Sequence, residues 1–299
     1  FLNSIGAAGI SVRAVAQGAS ARSISCVVDA DQTATAVRTV HGAFNLAHTQ
    51  LSVLLLGKGV VGGSLLKQID RQNQALGREH DVQVRLVGIG ASRGAILDPE
   101  GLPPLAAIAQ LEQALAAGKA AKDVGSLLKQ LSQLPNPVLV DCSAAAGMEK
   151  LYRAAFEHGI NVVSANKQPL ALPQPERVAL LASARRHFRA YHYETTVGAA
   201  LPVIETLKNL VRTGDHVTMI EGAFSGTLGF LCECLVQGDA LSVAVRKAKD
   251  LGYTEPHPRD DLSGLDVARK AVILARELGL QVELGDVALE PFVPAENLR

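Results

Sequence analysis

The sequence predicts an α/β fold built on a doubly wound parallel sheet, followed by a second α/β (α+β) domain and preceded by a short incomplete one. Three observations lead there. Strand-like and helix-like patterns alternate from Leu51 to Val163. An apolar run enters a glycine-rich turn at Gly57 and leaves it as a helical pattern. Past Tyr191 the rhythm changes to longer helices.

Residues 1–47 read as helix end, strand, turn, strand and helix. Ile10 to Ala16 and Ser23 to Val28 are short β-rich runs on either side of Gln17-Gly18-Ala19-Ser20, and a helical pattern covers Asp31 to Phe44. This is too little chain for a complete domain. A new unit is expected from His48, with strands at Leu51 to Leu56, Val82 to Ile89, Val138 to Asp141 and Ile160 to Val163. Helices fall between them, up to Gln74 and over 104–117, 122–134 and 149–158, and Pro-rich tracts at 99–104 and 135–137 are loops. Beyond Tyr191 the pattern gives helices starting after Gly198 and strands near 215–224. The expected domains are therefore 1–47, 48–190 and 191–299.

A chain of 299 residues suggests more than one core, at roughly one domain per 100 to 200 residues. The 29 basic and 29 acidic residues cancel, which argues against nucleic acid or an anionic membrane surface and for a small-molecule partner. Cys26, Cys142, Cys232 and Cys234 have no metal-ligand spacing, and their apolar neighbours suggest buried, reduced thiols in a reducing, cytoplasmic compartment. No apolar run reaches the roughly 18 residues of a membrane span. The chain starts at Phe1 inside an apolar pattern, which reads as a piece of something longer.

Leu51 to Leu56 runs directly into Gly57-Lys58-Gly59-Val60-Val61-Gly62, and a helix follows. Gly57 permits the tight turn, Gly59 lets backbone approach a pyrophosphate, and Gly62 lets helix pack on strand. The amides at Val60 and Val61 sit where a helix N-terminus faces phosphates. Strand before and helix after make this a dinucleotide turn of the Rossmann type. A site preferring NAD usually offers Asp or Glu at the end of the next strand, but Ala91-Ser92-Arg93 offers none. Ser92 and Arg93 present a hydroxyl and a guanidinium suited to a 2′-phosphate, so NADP is favoured, with NAD still possible. Two further loops leave strand ends on the same side, one with Ser143 and one with Lys167, whose charge would polarise a carbonyl or lie beside the cofactor, although an exposed loop lysine is an equal reading.

The run Leu251 to Gly279 crowds Glu255, Asp260 and Asp261 ahead of a helical pattern in which Asp266 and Lys270 lie four residues apart. That spacing puts both on one helix face. It is the spacing of an ordinary solvated ion pair, and equally that of a lysine held beside a carboxylate for proton transfer.

Four segments together resemble the homoserine dehydrogenase family: GKGVVG at 57–62, SANKQPLA at 164–171, YETTVGAALPVI at 193–204 and LGYTEPHPRDDLSGLDVARK at 251–270. Residues 1–47, with SVRAVAQGASARSISCVV at 11–28, resemble the end of an ACT regulatory region. That order is the layout of bifunctional aspartokinase/homoserine dehydrogenases. The resemblance implies reversible hydride transfer between NAD(P)H and L-aspartate 4-semialdehyde, giving L-homoserine, within threonine, methionine and isoleucine biosynthesis. It makes Lys270 the general acid/base, puts Lys167 near cofactor and substrate, and gives Glu255, Asp261 and Asp266 to substrate binding. It also implies a monovalent cation such as sodium on Glu194, Val197, Ala199 and Leu201, and a homo-oligomer, dimer or tetramer. Ala200 stands where the family commonly has glycine. Ser225-Gly226-Thr227 matches a family loop and reads as either a substrate-side loop or a helix cap. His257, held between Pro256 and Pro258, lacks the neighbours of a catalytic histidine. Gln17 is a candidate effector contact. Two rival readings are a non-catalytic regulatory or assembly piece lacking a C-terminal tail, and a dehydrogenase for another small hydroxy acid.

Overall fold

A computed structural model of the chain describes residues 2–18, 23–43, 49–254 and 257–294. The first elements are α1 (Leu2–Ala7), β1 (Val12–Gln17), β2 (Ile24–Val28) and α2 (Thr33–Ala43). β1 and β2 form an antiparallel ladder. Ile5, Ile10 and Ala36 make a small buried core beneath it, with Val12, Cys26 and Val28 packed against them.

From there strands and helices alternate: β3 (Thr49–Leu56), α3 (Val60–His80), β4 (Val82–Ala91), β5 (Gly94–Leu97), α4 (Ala107–Ala116), α5 (Gly125–Leu131), β6 (Pro137–Asp141), α6 (Met148–Glu157), β7 (Asn161–Ser164), α7 (Gln174–Arg186) and β8 (Tyr191–His192). The six strands β3 to β8 form one sheet in the order β5-β4-β3-β6-β7-β8. β3 pairs in parallel with both β4 and β6. Val53 to Leu56 are all buried, as a central strand covered on both faces requires. Strand order reverses between β3 and β6, and the crevice at such a switch point, past the carboxyl ends of the strands, is where open α/β sheets bind ligands.

The edge of this sheet differs from the expectation. Ser92 and Arg93 form a turn between β4 and an antiparallel β5 rather than a free loop. Glycines make room for it: a Cβ on Gly88 would sit 2.8 Å from the Ile96 carbonyl, and one on Gly90 would sit 2.9 Å from the Ala95 Cβ.

The remaining helices are α8 (Val203–Arg212), α9 (Gly226–Val236), α10 (Leu241–Asp250), α11 (Pro258–Leu262) and α12 (Leu265–Glu277). Two compact units divide the backbone: residues 1–143, 150–163 and 180–191, and residues 144–149, 164–179 and 192–299. Residues 215–224, expected to contain strands, have no strand assignment, because no described segment supplies the ladder their backbone groups need. The cysteines also depart from expectation in part. Cys234 is buried with Leu231 against Ala244 and Ala248 of α10, which turns Cys232, two positions along the same helix, out to solvent. Among the described residues no helix is long and apolar enough to cross a membrane.

Candidate active site

In the first unit the glycine turn takes its shape from what surrounds it. Gly57 has a φ of +96°, and a Cβ there would lie 2.6 Å from the Cys142 carbonyl carbon. At Gly62 a Cβ would be 1.9 Å from the Gly57 carbonyl oxygen, so helix and strand close on each other without side chains. Gly59 is different: nothing lies within 4 Å of the position its Cβ would take. Gly59 also precedes α3 with no side-chain cap, which leaves the first amides of a 21-residue helix for a ligand. Open space at Gly59 with enclosure at Gly57 and Gly62 fits a dinucleotide pyrophosphate.

Neighbouring loops complete this end of the sheet. The Ser143 amide donates to Asp141 Oδ1 at 2.8 Å, and Tyr152 donates its hydroxyl to Asp141 Oδ2. Burial, followed by the charge of Asp141, pushes the Cys142 thiol up to about 11. Arg93 Nη2 donates to Glu112 Oε2 at 2.6 Å, and Lys58 of the glycine turn is hydrogen-bonded to Glu112 Oε1. Glu112 was not singled out in the sequence. Its carboxyl is held below the usual range, first by the Lys58 hydrogen bond, working against desolvation, and then by Arg93.

In the second unit the structure brings Lys167, Asp266 and Lys270 together. Gly264, with φ +78°, turns the chain into α12, placing Asp266 in the first helical turn, where an acid is favoured by the helix dipole. Lys167 Nζ lies 2.7 Å from Asp266 Oδ1, and Lys270 Nζ lies 2.6 Å from Oδ2. These side chains are 15%, 3% and 17% exposed in chain order, so the solvated reading of the Asp266–Lys270 pair is overturned. Lys270 also donates to the Phe224 carbonyl at 2.7 Å, which fixes its ammonium from a second direction. Desolvation alone would raise the Asp266 carboxyl. The charge of Lys167 and hydrogen bonds from both lysines outweigh it and hold the group below the ordinary carboxylate range. Two ammonium groups held on one carboxylate in a poorly solvated place are suited to stabilise negative charge developing on a substrate oxygen.

A polar scaffold outside the expected set positions these groups. Buried Asn166, next to Lys167, donates Nδ2 to the Ala145 carbonyl at 2.8 Å and accepts from the Gln168 amide at 3.0 Å. Arg276 on α12 donates to the carbonyls of Leu170 and Leu172 at 3.0 and 2.7 Å and pairs with Glu283 at 2.8 Å. Arg177 and the Tyr193 hydroxyl both donate to Glu277 Oε1, at 2.5 and 3.0 Å. Burial and the Glu277 charge push the Tyr193 hydroxyl upward.

The other expected residues are placed as follows. Asp261 is buried in α11. Glu255 lies outside the described residues. His257 caps α11, with Nδ1 accepting from the Arg259 amide at 3.4 Å, and Ser225 caps α9, accepting from the Leu228 amide at 3.0 Å. Ser225 thus acts as a helix cap, one of the two readings of that loop. Glu194 spends both oxygens on the first amides of α8, accepting from Ile204 at 2.8 Å and Glu205 at 2.9 Å. The Leu201 carbonyl accepts from the Val203 amide at 2.9 Å, and Ala199 adopts φ +51° after Gly198 at +83°. Among the described residues no three His, Cys, Asp or Glu side chains converge as a metal site.

Comparison with known proteins gives three matched sequence families. One described as Homoserine dehydrogenase covers residues 202–298, one described as Homoserine dehydrogenase, NAD binding domain covers 57–194, and an ACT domain covers 1–44. A bifunctional aspartokinase/homoserine dehydrogenase 2, chloroplastic, from Zea mays is 39% identical over 98% of this chain, which spans 32% of that protein. This chain thus spans about a third of the bifunctional relatives it matches. A homoserine dehydrogenase from Emericella nidulans is 37% identical over 81% of this chain and 67% of its own length. Among solved structures, a hyperthermophilic archaeal homoserine dehydrogenase in complex with NADPH is similar with a TM-score of 0.63 and 26% identity, over 76% of this chain and 69% of that one.

Proposed function

We propose, since this chain belongs to the homoserine dehydrogenase family, that it carries out the NAD(P)-dependent interconversion of L-aspartate 4-semialdehyde and L-homoserine. The observation that carries this reading is the buried Asp266 between Lys167 and Lys270. The nicotinamide, when bound, supplies the hydride in reduction and accepts it in oxidation. In reduction Lys270 gives its proton to the aldehyde oxygen as the carbon gains hydride, and in oxidation it takes that proton from the homoserine hydroxyl. Lys167 stabilises the oxygen's negative charge with its own. Asp266 holds both lysines and, with Asp261 and Glu255, receives the substrate's ammonium group. Gly57, Gly59, Val60, Val61 and Gly62 hold the pyrophosphate, Ser143 lies on an adjacent loop, and Ser92 and Arg93 take the adenosine ribose, with NADP favoured.

The same reading assigns a monovalent cation to Glu194 and to the carbonyls of Val197, Ala199 and Leu201. An all-oxygen donor set suits a hard cation, and oxygens that already accept one hydrogen bond keep a further lone pair. Residues 1–47 form part of an ACT module, in which Gln17 contacts an effector, and the whole protein also carries aspartate kinase activity and works as a homo-oligomer. Similarity to the bifunctional relatives supports this wider reading.

The test is Lys270→Ala in the intact protein. Turnover of homoserine should fall by about 10²- to 10⁴-fold, the usual worth of a positioned acid/base, while NADPH titration by fluorescence stays unchanged. Turnover within a few-fold of the parent would remove Lys270 from proton transfer.

A further inference from the structure

The end of β4 lacks the acidic residue that accepts the ribose hydroxyls in sites preferring NAD, yet a carboxylate reaches that place from elsewhere. Glu112 stands on α4, anchored by the burial of its neighbours Ala107 and Leu111. Its two oxygens contact Lys58, the second residue of the glycine turn, and Arg93 in the β4–β5 turn, so the carboxylate lies between those two turns. The adenosine ribose of a dinucleotide bound at the glycine turn occupies the same interval. The Glu112 side chain is 39% exposed, so a hydroxyl has access to it. Ion pairs at this exposure exchange readily with an incoming ligand. A carboxylate accepts about four hydrogen bonds, and two are in use, which leaves acceptor capacity for the ribose diol. A 2′-phosphate brings like charge against Glu112 and competes with it for Arg93 and Lys58.

We propose that Glu112 sets the nicotinamide cofactor preference of this protein. Its carboxylate accepts from the adenosine ribose hydroxyls of NAD(H) and opposes the 2′-phosphate of NADP(H), while Arg93 and Lys58 act in the opposite direction. The proposal rests on the reading of the glycine turn as a dinucleotide site. It makes the cofactor choice a balance between one acid and two bases that the sequence keeps apart, with Glu112 lying 54 residues from Lys58 and 19 from Arg93.

The experiment is equilibrium fluorescence titration of NADH and NADPH against the intact protein, its Glu112→Gln variant and its Arg93→Ala variant. Glu112→Gln should move the ratio of the two dissociation constants toward NADPH by about tenfold or more, the scale of one charge-assisted hydrogen bond gained or lost. Arg93→Ala should move the ratio the other way. If Glu112→Gln leaves the ratio within twofold while Arg93→Ala still weakens NADPH, Glu112 has no part in discrimination and the dinucleotide site stands. If the parent protein binds neither nucleotide, the reading of the site fails and the proposal fails with it.

Discussion

Glu112 in the first unit and Asp266 in the second are built alike, each a carboxylate held by two cationic side chains. Lys58 and Arg93 hold the first, Lys167 and Lys270 the second. Their surroundings differ. The Glu112 side chain is 39% exposed and that of Asp266 is 3% exposed. An exposed pair costs little to open, so its members are free to trade partners with a ligand. A buried carboxylate with two ammonium groups cannot lose a member without stranding a charge, so its geometry is fixed before substrate arrives. On the readings proposed above, the same three-group arrangement would serve as an exchangeable cofactor contact in one place and as a preorganised reaction centre in the other.

Removing the buried carboxylate should have the largest effect. Asp266→Asn strands the ammonium groups of Lys167 and Lys270, and denaturant unfolding should report a loss of about 3 to 5 kcal/mol, the usual cost of breaking a buried pair. Homoserine turnover should be lost with it. A loss no larger than that of an exposed substitution would mean that Asp266 is not the centre of the cluster. The same variant gives the pH dependence. The Asp266 carboxyl lies below its ordinary value of 3.8 in the fold. Its contribution is therefore present above that value and drains away as pH falls through the lowered folded value. The stability gap between parent and Asp266→Asn should hold steady from neutral pH to about 5 and narrow below about 4. A gap that instead narrowed between neutrality and pH 5 would contradict the lowered carboxyl.

Arg276→Ala tests the scaffold around the buried cluster. It frees the carbonyls of Leu170 and Leu172 and loosens the segment that follows Lys167. We expect a loss of about 2 to 3 kcal/mol in denaturant unfolding, the cost of leaving buried acceptors unpaired. Turnover should fall more than nucleotide binding, and partial recovery by Arg276→Lys would separate positioning from general instability. The smallest effect belongs to the exposed cluster. Arg93→Ala should weaken NADPH by about tenfold with NADH nearly unchanged, at a melting temperature close to the parent's. Equal weakening of both nucleotides would take Arg93 away from the 2′-phosphate.

How much of this was legible in the sequence follows from the range of each interaction. Leu51 to Leu56 reads as a strand because burial demands a largely apolar run, here interrupted only by Ser52, and the glycines of the turn fall within six residues, 57–62. Asp266 and Lys270 share a helix face by spacing alone, but their burial depends on Lys167 and on the Phe224 carbonyl, which local pattern does not reveal. β5 is hidden in the sequence because Gly88 and Gly90 look like strand endings, whereas they admit a neighbouring strand. The sequence does not mark α7 as a helix, because Pro173 and Pro175 punctuate its start and its apolar residues make no clear stripe. Glu112 gives no signal in the sequence, since the partners of one acid on a helix, here Lys58 and Arg93, are distant in the chain. Residues 215–224 carry a strand-like pattern without a ladder, because pairing needs a second segment as well as a suitable first one.

The decisive assay is reduction of NADP and of NAD by homoserine with the intact protein, followed by nicotinamide absorbance beside an unrelated small hydroxy acid. Homoserine should reduce the nucleotide, faster with NADP, and the other acid should not. A folded protein that binds NADPH yet gives no reduction with homoserine would rule out the dehydrogenase reading.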